Sequence, residues 1–220
     1  MSSPVRLLLV DDDPLVRAGL ASMLGGTPSV RLVGAATNGR EAVDAVRDLT
    51  PDVVLMDIGM PVLDGVAATT AIRSEAPAPE IIILTTFGSD HHLVRALRAG
   101  AAGYLLKDAA PTDILTAILK VAAGESVLSP QSTRQLMTHA AESDPHTRRT
   151  EARAALAHLT DRERDVVQAV AEGKTNAEIA TTLHLGVATV KTHLANALTK
   201  LHLTNRVQLA LLAHDANLPS

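Results

Sequence analysis

The chain has almost no aromatic residues. Among 220 residues there is one Phe, one Tyr and no Trp, so the 46% of hydrophobic residues must build an aliphatic core from Leu, Val, Ile and Ala. Cysteine is absent as well, which excludes disulfides and thiolate metal sites. No apolar stretch approaches the ~20 residues that a spanning helix needs, and the Met-Ser-Ser-Pro start lacks the basic and apolar regions of a signal peptide, so a cytoplasmic protein with no membrane partner is expected. What remains is ordinary globular composition, with 20% charged residues and a length suited to one large or two modest domains.

The charge is uneven. The formal net charge of −4 belongs to the N-terminal part, where the first 124 residues carry fourteen acidic against ten basic side chains. Residues 159–220 balance, but Lys191, Lys200 and Arg206 lie in a stretch whose one acid is the distant Asp215, which makes a local basic face on a neutral domain.

Two grammars follow one another along the chain. From residue 5 to about 122, short β-rich runs (VRLLLV, VRLVGAA, DVVLM, EIIIL, AGYLL) alternate with segments whose apolar residues recur every three or four positions. That alternation predicts a five-stranded, doubly wound parallel α/β sheet, with Pro14 and Pro111 at first-turn helix positions and Gly25, Gly26 and Gly124 at helix exits. From residue 159 the pattern is purely helical. Thr160 with Glu163, and Thr175 with Glu178, read as capping boxes, Gly173 reads as a helix exit, and a last helix starts near Thr204 or Asn205. Four short helices, the middle two joined by a three- or four-residue turn near Gly186, suggest a helix-turn-helix. The charged stretch between, with Asp144-Pro145, reads as a partly helical linker with a flexible joint near residues 143–149. The expected boundaries are 1–124, 125–158 and 159–220.

In an open α/β sheet, ligands bind beyond the carboxyl ends of the strands. There the sequence places Asp11, Asp12 and Asp13 after the first strand, Asp57 at the end of the third, Thr85 at the end of the fourth and Lys107 after the fifth. Convergent carboxylates require a cation, and hard oxygen ligands suit Mg²⁺. Asp57, alone at the end of the central strand, is the best candidate phosphoryl acceptor, with the ammonium and the ion to neutralise the transferred charge. Each residue has a blander reading: Asp at a strand end is often a helix cap, Lys107 alone a solvated charge, Thr85 alone a strand former. Their joint placement is what the separate readings do not predict.

The stretches "LLLVDDDP", "VVLMDIGMPVLDG", "IIILTTF" and "GYLLKD" resemble, in order and spacing, the receiver domain of two-component response regulators, over about residues 4–124. The resemblance implies Asp57 as phosphoacceptor, Mg²⁺ held by Asp12, Asp57 and the Gly59 carbonyl with Asp11 behind them, Lys107 as the phosphoryl partner, and Thr85 with Tyr104 as a switch pair. Asp13 adds a third acid that either approaches the ion or caps the next helix. Gly59 and Phe87 stand where the family tunes attack by water on the acyl phosphate, and neither side chain can orient a water. Slow autodephosphorylation is therefore expected.

In the C-terminal part, the helix from Val187 puts Val187, Val190, Leu194, Leu198 and Leu201 on one stripe, leaving Ala188, Thr192, Asn196 and Thr199 outermost with Thr189, Lys191 and Lys200 on the flanks. Small and polar residues flanked by cations suit a major groove. The stretch from Leu159 to Leu209 resembles the LuxR-type DNA-binding domain of NarL-like regulators, a similarity that extends over residues 159–216. It implies DNA contact by Lys191, Thr192 and Ala195, phosphate contact by Thr175 and Asn176, and dimerisation through the last helix, where Arg206, Val207 and Ala210 are the candidates. Gly186 replaces a frequent Ser at the helix start, and Ala195 can offer a base only an apolar contact such as a thymine methyl.

The expected protein is a transcription factor, phosphorylated by a sensor histidine kinase, that dimerises on paired half-sites of double-stranded DNA, with RNA polymerase as a further candidate partner. It is not expected to be an enzyme beyond its own phosphotransfer and dephosphorylation. The competing reading is a phosphatase using "VDDDP" as the Asp-x-Asp motif of haloacid-dehalogenase-like enzymes with Asp11 as nucleophile. It leaves Asp57 and the helical domain unexplained, and Val16 lies one position too late for its motif.

Overall fold

The computed structural model describes residues 3–75, 77–86, 90–128 and 145–216, and the side chains of residues 90, 91 and 145–148 lie outside that description. Phe87 lies outside the described residues, as do residues 143 and 144 of the expected joint. The chain forms two compact units, Met1–Arg134 and Gln135–Ser220.

In the first unit, β1 (Val5–Val10), α1 (Pro14–Gly25), β2 (Val30–Ala36), α2 (Gly39–Leu49), β3 (Val53–Asp57), α3 (Gly65–Arg73), β4 (Glu80–Thr85), α4 (Asp90–Ala99), β5 (Gly103–Leu106), α5 (Pro111–Ala122) and β6 (Val127–Leu128) follow in order. The sheet has the strand order β2-β1-β3-β4-β5-β6, and every pairing is parallel. The inner strands β3 and β4 are buried almost throughout, as their unbroken aliphatic runs require when helices cover both faces.

The sheet has six strands, one more than the sequence suggests. Val127 and Leu128 pair with Gly103 and Tyr104, but two residues are too few to show a period. The helix ends follow local chemistry closely. Asn38 and Asp64 cap α2 and α3, Pro14 and Pro111 open α1 and α5, and Gly124 takes a left-handed φ of 86° just past α5.

The second unit contains α6 (Pro145–Leu156), α7 (Asp161–Ala171), α8 (Asn176–Leu183), α9 (Val187–Lys200) and α10 (Arg206–Asp215). Both capping boxes are formed, at Thr160 with Glu163 and at Thr175 with Glu178. Val166, Val167, Val170, Ile179, Val190, Leu194 and Leu209 build an aliphatic core, joined by Ala152 and Leu156 of α6. Residues 127–128 and 145–156 both lie inside the stretch read as linker, so each unit takes in part of it, and residues 145–149 begin a helix.

Candidate functional site

The register of the sheet brings the polar residues of the first unit to one edge. Val10 lies opposite Met56, which sets Asp11 level with Asp57, and Thr85 lies opposite Leu106, beside Lys107. The Lys107 amide donates to the Thr85 carbonyl at 2.7 Å, so β4 fixes where that side chain starts. From there the Lys107 ammonium reaches two carboxylates, at 2.7 Å from Asp11 Oδ2 and 3.0 Å from Asp57 Oδ2. Both aspartates are buried, at 1% and 7% exposure, so water does little to screen the arrangement.

The remaining acceptor positions are also used. Asp57 Oδ1 accepts from its neighbour's amide, Ile58 N, at 2.8 Å, and Asp11 Oδ1 accepts from Asp13 N at 3.0 Å. Burial pushes the Asp11 carboxyl above its ordinary value, with the Lys107 ammonium and the Asp13 amide opposing it. Burial pulls the Lys107 ammonium down, yet carboxylates on two sides more than offset this, and its affinity for the proton rises.

Asp11, Asp12 and Asp57 each bring a carboxylate oxygen to within 4.8 Å of the others. Three carboxylates and one ammonium leave an excess of two negative charges, and an all-oxygen donor set fits a hard divalent cation such as Mg²⁺. Asp13 resolves differently from its neighbours: its carboxylate accepts from Leu15 N at 2.8 Å and Val16 N at 3.4 Å and caps α1. Of the two readings open in the sequence, capping is the one observed.

Thr85 and Tyr104 share a face of the sheet, since Tyr104 lies opposite Ile83 and strand side chains alternate. Tyr104 is fully buried at 0% exposure, and its oxygen sits against the Thr85 hydroxyl without meeting the geometry of a formed hydrogen bond. Burial pushes the phenol up, the Thr85 contact opposing it.

Two features of this edge had no signal in the sequence. The Arg17 guanidinium, one turn into α1, donates to the Asp11 carbonyl at 2.7 Å and pins the acidic loop. Val62, in the loop after Asp57, takes a φ of 68°, a region that a β-branched residue rarely enters, while Leu63 N donates to Pro61 O at 2.7 Å across it. Gly59 lies in the same loop, and a Cβ built there meets nothing within 4 Å.

The second unit presents α9. Thr189, Lys191, Thr192, Ala195 and Asn196 are exposed together with Ala188 and Thr199, while Val190, Leu194 and Ala197 face the core. Val187 departs from the expected stripe: at the first position of the helix it lies beyond the edge of the core and is 44% exposed. Three residues, His184 to Gly186, join α8 to α9, with His184 left-handed at a φ of 53° and Gly186 capping α9 without a side-chain hydrogen bond.

Other expected contact residues are engaged inside their own unit. Lys200 Nζ donates to Glu163 Oε2 at 2.7 Å, the same oxygen that accepts from Thr160 N at 2.8 Å, so the end of α9 is tied to the cap of α7. Thr175 spends its hydroxyl on the Glu178 capping box, and Asn176 is buried with its side-chain carbonyl accepting from Arg206 Nη1 at 2.7 Å. The second Arg206 nitrogen donates to the Lys174 carbonyl. Val207 is buried, and Ala210 packs half-buried against the core of its own unit.

Two family models match this chain, the response regulator receiver domain over residues 7–119 and the bacterial regulatory proteins of the luxR family over residues 157–213. The chain belongs to the two-component response regulators. It is 37% identical over 215 residues to VraR, a response regulator of Staphylococcus aureus, covering 97% of this chain and 98% of that one. Among solved structures, this response regulator resembles a LuxR-family regulator from Aurantimonas sp. SI85-9A1, with a TM-score of 0.60 and 34% identity over 64% of this chain and all of that one. It also resembles ChrA, the response regulator of a heme-sensing two-component system, with a TM-score of 0.54 and 32% identity over 97% of this chain and 98% of that one. The regulator thus joins a receiver to a LuxR-type DNA-binding domain, and no helix among its described residues is long and apolar enough to cross a membrane.

Proposed function

We propose that Asp57 accepts a phosphoryl group from the phosphohistidine of a sensor kinase and that this modification controls DNA binding by the second unit. The observation that carries the proposal is the Lys107 ammonium, only 12% exposed, held between the buried Asp11 and Asp57 at the strand ends. A cation held by two buried carboxylates is a preformed partner for an incoming dianionic phosphoryl group. In the transfer, an Asp57 Oδ attacks phosphorus, the P–N bond to the imidazole breaks, and the ring nitrogen recovers a proton. Lys107 keeps its proton throughout and follows the new phosphoryl oxygens. Asp12, Asp57 and the Gly59 carbonyl, with Asp11 behind them, would hold Mg²⁺, which when bound neutralises charge on the phosphoryl group.

Phosphorylation then draws Thr85 toward the phosphoryl group, favours the buried position of Tyr104, and biases a two-state surface around β4 and β5. The favoured state dimerises and places two copies of α9 on paired half-sites of double-stranded DNA, where the regulator changes transcription in the cytoplasm, with RNA polymerase as a candidate partner. Lys191, Thr192, Ala195, Asn196 and Thr189 face the groove, while Lys200, Thr175 and Asn176 support the helix-turn-helix from within. With Arg206 and Val207 engaged in their own unit, the half-buried Ala210 and the exposed His214 one turn further along α10 are left for the dimer.

The test is labelling of the full chain with a small acyl-phosphate donor and Mg²⁺, followed by sedimentation and DNA binding. A stable adduct that Asp57→Asn abolishes, with a coupled gain in dimer and DNA affinity, supports the reading. Turnover of the donor that only Asp11→Asn abolishes would instead indicate a phosphatase.

A further inference from the structure

The reading face of α9 is chemically unusual in what it cannot donate. Thr192 Oγ1 donates to the Ala188 carbonyl at 3.1 Å and Thr199 Oγ1 donates to the Ala195 carbonyl at 2.9 Å, so both hydroxyl protons are committed to the helix itself. What Thr192 then has for a base edge is a methyl group and lone pairs. Ala188 and Ala195 have methyl groups alone. Val187, one turn before Lys191 and two before Ala195 along the same row, is the one large hydrophobic left exposed among the described residues of the second unit. Its full burial would be favourable, yet 44% of its surface stays exposed.

An apolar group at the N-terminal end of a recognition helix meets base edges, and in the major groove the 5-methyl of thymine is the apolar feature available. We infer that this regulator reads thymine methyl groups in its half-site through Val187, Thr192 and Ala195. This rests on the reading of α9 as the groove-entering helix. Lys191, exposed on the flank, supplies phosphate attraction, and the Asn196 amide supplies the polar base contact, an adenine edge. The half-site is therefore rich in A·T pairs at the positions facing the first three turns of α9.

The phosphorylated full-length chain is used to select binding sites from a random duplex library, and each thymine of the selected half-site is then replaced in turn by uracil, which pairs identically but lacks the methyl. At two or more positions uracil is expected to weaken binding about three- to fivefold, the effect of one buried methyl group. Val187→Ala removes the penalty at its position. Thr192→Val, which keeps a methyl and loses the hydroxyl, leaves affinity within about twofold, whereas Thr192→Ser, which does the reverse, loses both affinity and the uracil response. A selected duplex that binds equally well with all its thymines replaced, or a half-site without thymine, overturns the inference while leaving DNA binding intact. Failure to select any duplex would remove the DNA-binding reading and this inference together.

Discussion

Two glycines six residues apart in the stretch after Asp57 are predicted to respond oppositely to alanine. At Gly65, the first residue of α3, a Cβ would lie 1.9 Å from the Asp57 carbonyl oxygen, 2.9 Å from its carbon and 3.1 Å from Ile58 Cα. All three are backbone atoms, and the Gly65 amide is itself held by Ile58 O at 3.0 Å, so no flexible side chain can swing away. The loop must move by about 1 Å, an overpacking that costs roughly 3 kcal/mol. Better helix propensity returns at most about 1 kcal/mol. Gly65→Ala is therefore expected to destabilise the first unit by about 2 kcal/mol or more and, because the displaced atom belongs to Asp57, the proposed acceptor, to slow phosphorylation. At Gly59 the same Cβ enters open space and φ lies outside the left-handed region, so Gly59→Ala should be neutral or stabilise by about 0.4–1 kcal/mol through the unfolded chain. Urea titration of the full chain isolates the effect, because Tyr104 and Phe87, the only aromatics, both belong to the first unit. Near-ultraviolet circular dichroism thus follows that unit alone. A Gly65→Ala midpoint equal to that of the parent, with unchanged labelling, would refute the close approach of α3 to the end of β3.

The open space at Gly59 also admits a longer polar side chain, and Gly59→Asn should accelerate decay of the acyl phosphate about tenfold or more by orienting a water, measured as loss of labelled protein over time. Val62→Gly should stabilise the first unit by about 1 kcal/mol in the same titration, since it relieves a left-handed β-branched residue at a position that is 82% exposed and packs on little. In the second unit, the Lys200 ammonium and then the Thr160 amide hold the Glu163 carboxyl below its ordinary 4.5. A depressed folded value contributes stability that is present above the unfolded value and lost as pH falls through the folded one, so the decline comes below about pH 4.5. Thermal unfolding followed at 222 nm should show that acid-induced decline reduced in Glu163→Gln, and a Glu163→Gln profile parallel to the parent's would remove the Lys200 tie.

Short-range physics made much of this regulator legible from its residues. Strand runs, helix periods, two capping boxes, proline starts and glycine exits depend on neighbours within four or five positions, and each appears where the sequence puts it. The convergence of Asp11, Asp57, Thr85 and Lys107 was equally visible, because a parallel sheet delivers all strand ends to one edge whatever the details of packing. Tertiary structure decided the matters that rest on partners far along the chain. It gave Lys200 to Glu163, thirty-seven residues away, and Arg206 to Asn176, thirty residues away, engaging inside the unit two cations that sequence pattern had left for outside partners. Asp13 became a helix cap beside two aspartates that did not, Val62 was forced left-handed, and β6 formed from two residues with no pattern of their own. Val187 shows the limit most clearly: a helical wheel assigns it to the core stripe, but whether an apolar residue is buried depends on how far the neighbouring helices reach, and at the first position of α9 it stays 44% exposed.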